Sequence, residues 1–151
     1  MANTQAMCTS FKSEILTGTH NFGVAPTRGS TAADSFKAAL YLASATVNAT
    51  TTAYSASNEV SGTGYTAGGV AVTNATVPTT SGTTAYWTPS ASITYTNVTL
   101  STAFDAVLIY NSTQSNKAVS VHTFGSQTVT AGTFSLTMPA NAPSTALLNI
   151  A

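Results

Sequence analysis

The spacing of apolar residues along the chain changes once, and the change divides it. Over residues 7–16, "MCTSFKSEIL", Met7, Phe11 and Ile15 recur at helical spacing, with Thr9 or Ser10 as capping hydroxyls and Gly18 as a stop. This predicts a short helix. Residues 17–33 hold Gly18, Gly23, Pro26 and Gly29 with little periodicity and read as an extended loop. From Asp34 onward the period shortens to two: "SFKAALYLASATV" sets Phe36, Ala38, Leu40 and Leu42 against Lys37, Ala39 and Tyr41. That is a strand pattern, with a helix as the competing reading because of the alanines.

Further short runs follow at 68–77 (GGVAVTNATV), 92–100 (SITYTNVTL), 104–111 (FDAVLIYN), 117–124 (KAVSVHTF), 132–138 (GTFSLTM) and 145–150 (TALLNI). Each is rich in Val, Ile, Thr, Tyr or Phe and is bounded by Gly, Pro, Asn or Ser. Such spacing predicts an all-β domain, an antiparallel β-sandwich or jelly-roll-like fold of about seven to eight short strands with a short N-terminal helix or arm. The expected organisation is an arm or extended segment over 1–33 and a β-sandwich over 34–151. In "KAVSVHTF", Val119, Val121 and Thr123 share one face and Ser120 and His122 the other. The more continuous "FDAVLIYN" predicts a strand covered on both faces.

Composition sharpens this picture. The 151 residues suit one domain with a genuine core. Charged residues are only 5% of them, where a soluble domain usually has about 25%. Lys12, Arg28, Lys37 and Lys117 stand against Glu14, Asp34, Glu59 and Asp105, so the polar surface is built from hydroxyls and amides. A surface of this kind steers neither nucleic acid nor ionic substrates, and it lacks the repulsion that keeps monomers apart. It suits a permanent assembly. Cys8 is the only cysteine, which rules out an internal disulfide. The start "MANTQAMCTSFK" lacks the cationic and apolar regions of a signal peptide, and no apolar run approaches the ~20 residues of a membrane span. Neither a membrane nor a nucleic acid is an expected partner.

The stretch "EVSGTGYTAGGVAV" (59–72) gathers Gly62, Gly64, Gly68 and Gly69 around Tyr65 and invites a phosphate-loop reading. The spacing from Gly64 to the next glycine is wrong for a dinucleotide loop, no lysine occurs between Lys37 and Lys117, and β-branched residues and Pro78 follow where a helix would have to start. A glycine-permissive turn leading into a strand fits better. Tyr65 at its tip is either a contact residue or folds back on the sheet. No cofactor or metal is expected, because His20 and His122 are far apart and no ligand-spaced cluster exists. A hydrolase would need His122 with Asp34 or Asp105 and one of many serines, but no G-x-S-x-G elbow is present. Glu14 and Asp34 read as helix-surface and loop-entry residues rather than a carboxylate pair. The expectation is therefore not an enzyme.

Several segments carry a resemblance: "ANTQAMCTSFKSEIL", "GTHNFG", "DSFKAALYLASAT", "TAYSASNEVSGTGYTAGGV", "FDAVLIYNST" and "AVSVHTFGSQTVTAGTFSLTMP". Together they cover nearly the whole chain, which resembles small structural proteins of tailed bacteriophages. The resemblance implies a non-enzymatic virion component, assembled in the host bacterial cytoplasm, that packs as a homo-oligomer against larger capsid or tail proteins. It supplies no motif of functional residues. Edge strands with so little charge need cover, and the candidate intersubunit contacts are Phe11, Ile15 and Leu16 of the arm together with Tyr65. The alternative is a receptor- or glycan-binding β-module of a tail fibre that uses the tyrosines and Trp87.

Overall fold

Among the described residues of the computed structural model, eight strands and one helix run in the order β1 (Ala6–Met7), α1 (Thr9–Leu16), β2 (Phe36–Leu42), β3 (Val70–Val72), β4 (Thr79–Ser81), β5 (Thr84–Trp87), β6 (Ile93–Asn111), β7 (Lys117–Leu136) and β8 (Leu148–Ile150). The described residues are 2–16, 18–22, 33–73 and 77–151; the side chain of Leu16 lies outside them. All strand pairs are antiparallel. They form an all-β sandwich of a five-stranded sheet, β1-β7-β6-β2-β3, and a three-stranded sheet, β4-β5-β8, with the short helix near the N-terminus.

β6 and β7 each run through two of the sequence runs. The residues between those runs are bulges rather than turns: the β6–β7 register shifts between Tyr95 and Val98, Val98 and Leu100, Leu100 and Phe104, and Phe104 and Ala106. Each extra residue breaks the two-residue period locally while the ladder continues. Asn97 and Ala131 take left-handed backbone at φ 55° and 45° in this region. The β4–β5 hairpin turns at Gly82, φ 58°. Its strands are short and Thr-rich, so no apolar alternation announces them.

Phe104–Asn111 is buried except for a half-buried Asp105, which bears out a strand covered on both faces. Residues 118–121 are buried on both faces as well. Ser120 therefore faces protein rather than solvent, contrary to a simple in–out reading of "KAVSVHTF". Phe36, Leu40, Phe104, Leu108 and Val121 fill the core, and Trp87 and Leu148 join it from the smaller sheet.

The expected arm is a correction. β1 pairs with β7 through Ala6↔Val121 and Met7↔Ser120, and the Cys8 and Thr9 N–H groups donate to Val119 O and Ala49 O. The Asn3 amide donates to Leu42 O and to Asp105 Oδ1 and accepts from Val47 N–H. The Phe11 ring meets His20 at 4.8 Å and Phe22 at 5.8 Å, and Phe22 stacks on Phe36 at 4.4 Å. The described residues of 2–22 are thus part of the sandwich, because burying Phe11 and packing Phe22 against the core removes more apolar surface from water than leaving them on a free arm. The helix ends as its sequence predicts. Gly18 takes φ 70°, its N–H reaches Ile15 O, and Thr19 N–H reaches Glu14 O. The loop expected around Gly23, Pro26 and Gly29 falls outside the described residues.

Candidate functional site: two buried carboxylate clasps and an open groove

The glycine-rich stretch is neither a phosphate loop nor a free turn. β3 covers only Phe36–Ala38 of the outer side of β2, and the loop takes over beyond it. Val60 N–H donates to Leu40 O, Leu42 N–H donates to Asn58 O, and Thr99 N–H of β6 donates to Thr63 O. The buried Glu59 carboxylate fixes the loop. Its Oε1 accepts from the Tyr65 hydroxyl at 2.7 Å and from Gly68 N–H at 2.8 Å, and its Oε2 accepts from the Tyr54 hydroxyl at 2.6 Å. Tyr65 also accepts from Leu40 N–H, while Tyr110 donates to Gly68 O and Tyr95 to Ala38 O. Burial first, and then the hydrogen bond to Glu59, push the Tyr54 and Tyr65 hydroxyls far above the ordinary phenol range, so both keep the proton they donate. The glycines are needed for contact: a Cβ on Gly62 or Gly64 would meet the carbonyl oxygen of Thr99 or Asn97 at 2.1 and 2.2 Å.

A second clasp holds the N-terminal segment. Glu14 bonds His20 Nε2 at 2.7 Å and Lys117 Nζ. Asn111, fully buried, donates to His20 Nδ1 at 3.1 Å and to Asp34 Oδ2 at 2.7 Å, and its Oδ1 accepts from Thr113 and Gln114 N–H. Asn21 N–H and the Gln114 amide complete the cover on Asp34. Because Nδ1 accepts from Asn111, the proton of His20 sits on Nε2 and points at Glu14. Burial pushes the Glu14 carboxyl up, but the hydrogen bonds from Lys117 and His20 and the charge of Lys117 outweigh it and leave the group below its usual range. Glu14 lies on α1 and Asp34 in the loop entering β2, as their sequence positions suggest, but both carboxylates are taken up in bonds that hold the N-terminal segment.

The chemistry these groups can do is limited by that bonding. Asp34 accepts from Asn111 and Asp105 from Asn3, and among the described residues the side-chain partner of His122 is Ser120 rather than either acid. Ser120 Oγ does lie 2.9 Å from His122 Nε2, but Ser120 is buried within the sheet. Burial also pushes the Cys8 thiol up to about 11, with Glu14 adding to the effect. Among the described residues, no three His, Cys, Asp or Glu side chains converge as metal ligands, and no helix is long and apolar enough to cross a membrane.

His122 yields a pH prediction. Burial lowers its pKa from 6.5 to about 4. Below pH 6.5 the unfolded chain takes up a proton that the native state refuses, so native stability falls with acidification until about pH 4. Between pH 7 and pH 5 this source should remove about 2 kcal/mol. Urea midpoints of the wild type and His122→Gln at the two pH values check it: the variant should lose less, and equal losses would contradict the assignment.

The expected contact residues separate. Phe11 is 2% exposed and Trp87 2% exposed, both buried within their own domain. Tyr65 folds back, stacked on Tyr95 at 5.8 Å with its hydroxyl on Glu59. The side chain of Leu16 lies outside the described residues. Of the three that are described, Ile15 reaches an open feature, a groove of about 510 Å³ between α1 and β8 lined by Met7, Lys12, Ile15, Asn149 and Ile150. Ile150 is 48% exposed there.

Glu59, His20, Asn111 and the edge role of the glycine loop were not foreseen as a site. The readable signal is a lone acid with Tyr54 and Tyr65 on either side of it, in a chain where acids are scarce. The Thr113 and Gln114 N–H groups are a local turn onto Asn111, but the partners of its amide nitrogen, His20 and Asp34, are distant in sequence and no local pattern records them. No family model, no curated protein and no solved structure matches the chain.

Proposed function

We propose that the chain is a non-enzymatic structural subunit of a tailed-phage virion, a β-module that packs as a homo-oligomer against larger capsid or tail proteins. The observation that carries the reading is a β-sandwich with charged residues at only 5% of the chain, two of whose carboxylates, Glu59 and Asp34, are consumed inside by hydrogen bonds. A surface of hydroxyls and amides offers little field to an ionic substrate and little resistance to like neighbours. The phage setting is supported by the resemblance of the segments quoted above. The glycan-binding reading loses its platform, since Trp87 is in the core and Tyr65 is turned inward.

Sedimentation velocity of the purified chain over a concentration series tests the packing. Oligomers that grow with concentration are expected; a stable monomer at high concentration would overturn the reading. Density for the chain on an intact particle, by electron microscopy, tests the setting.

A further inference from the structure

We propose that the outer edge of β7 at Gly132–Leu136 joins two copies of the chain, strand to strand and antiparallel. The inference rests on the homo-oligomer reading and gives it a surface. The outer side of β7 is covered near its start, by Ala53 at Lys117, by Thr52 and Cys8 at Ala118 and Val119, and by β1 at Ser120 and Val121. From His122 to Leu136, among the described residues, no strand and no backbone hydrogen bond covers that side. The other side of the same hairpin is treated differently: β6 has its outer edge closed by the glycine loop at Thr63↔Thr99.

An open edge is usually protected by charge, proline, bulges or a covering element. β7 contains no proline, and no Lys, Arg, Asp or Glu follows Lys117 anywhere in the chain. Bulges are the one protection present, and the last of them lies between Tyr95 and Val98, opposite Gly132 and Phe134. Three steps of β6 face two of β7 there, so the extra residue belongs to β6, where Asn97 takes φ 55°. Beyond it the ladder is regular through Phe134↔Tyr95, Ser135↔Thr94 and Leu136↔Ile93, and the Gly132–Leu136 run of β7 carries no extra residue of its own.

This run, "GTFSL", is complementary to itself. Laid antiparallel about a two-fold axis at Phe134, it sets Phe134 against its own copy, Thr133 against Ser135, and Gly132 against Leu136. An aromatic pair, a hydroxyl pair and a small residue facing a large one are favourable cross-strand partners. Both kinds of row already exist inside the chain and point at the open edge. Tyr65, Tyr95 and Phe134 follow one another across the sheet at 5.8 and 6.1 Å. On the opposite face, Thr94 and Ser135 hydroxyls meet at 3.0 Å. A second copy extends both rows without placing one charge beside another. A charged partner would find nothing on this edge to pair with, so the occupant is the chain itself.

The register can be trapped. In a Cys8→Ala background, Thr133→Cys protein mixed with Ser135→Cys protein should form the mixed disulfide dimer under mild oxidation, well above either variant alone. Thr133 and Ser135 are exposed, so these changes spare the core. Thr133→Lys should weaken association by about tenfold or more, since it sets two ammonium groups near each other across the two-fold. If the wild type self-associates while Thr133→Lys associates equally well and the cysteines do not cross-link, the edge assignment is overturned and the homo-oligomer reading stands. A wild type that stays monomeric overturns both.

Discussion

Gly69→Ala is expected to cost about 4 kcal/mol or more of unfolding free energy, a large share of the roughly 5–15 kcal/mol a domain of this kind has. Gly69 sits at φ 70°, which alone penalises an L-residue by about 1–2 kcal/mol. Steric contact costs more than this backbone strain. An added Cβ would lie 1.6 Å from Ala38 O, 2.5 Å from Ala38 C and 2.8 Å from Ala39 Cα. These are backbone atoms of β2, which is held by β3 on one side and β6 on the other, so β2 cannot yield. The loop must lift instead, and lifting it separates Gly68 N–H from Glu59 and Gly68 O from the Tyr110 hydroxyl. Two other glycines isolate the contact effect. Gly82 has φ 58° with nothing within 4 Å of an added Cβ, and Gly125 has open space and no positive φ. Gly82→Ala should cost about 1 kcal/mol, the backbone strain less the unfolded-state gain, and Gly125→Ala should be near neutral. Urea unfolding of the three variants checks the order; a Gly69→Ala midpoint no lower than that of Gly82→Ala would refute the close approach.

These glycines also show which features are legible in the sequence. Gly18 announces the end of α1 because a helix stop is a local event, satisfied by carbonyls three to five residues back. Residues 104–111 announce a strand covered on both faces because their apolar character is continuous. The glycines of 62–69 announce a turn but not its purpose: the atoms that require glycine belong to Ala38, Asn97 and Thr99, distant in sequence. Bulges deceive for a related reason. Polar residues such as Ser101, Thr102, Gly125 and Ser126 look like turns, yet they are extra residues in strands that continue. The N-terminal segment misleads because its apolar residues, Phe11 and Ile15, are equally suited to a neighbour's surface and to the chain's own core. Phe22 settles the choice by stacking on Phe36 and bringing the segment with it.

The second clasp predicts the unusual behaviour of one nearly isosteric change. In Asn111→Asp, the amide that donates to Asp34 Oδ2 and His20 Nδ1 becomes an acceptor, and a second carboxylate stands about where a 2.7 Å hydrogen bond was. Asn111 is fully buried, so water cannot screen the repulsion, and the Thr113 and Gln114 N–H groups compensate only on the far oxygen. A loss of about 3–5 kcal/mol at pH 7 follows, the usual cost of an uncompensated buried charge. The sign of the pH dependence then separates electrostatics from packing. Two carboxylates at this distance share a proton readily, and a shared proton restores the missing donor. The native variant therefore binds a proton that the unfolded chain, with ordinary carboxylates, still releases between about pH 7 and pH 5, and its stability rises relative to wild type as pH falls through that range. The His122 effect lowers both proteins alike and cancels in the comparison. Asn111→Ala, which removes the donor without adding charge, should be destabilised at both pH values with no such recovery. Paired urea titrations at pH 7 and pH 5 decide it: if the gap between Asn111→Asp and wild type fails to narrow, Asp34 and Asn111 are not in direct contact as described.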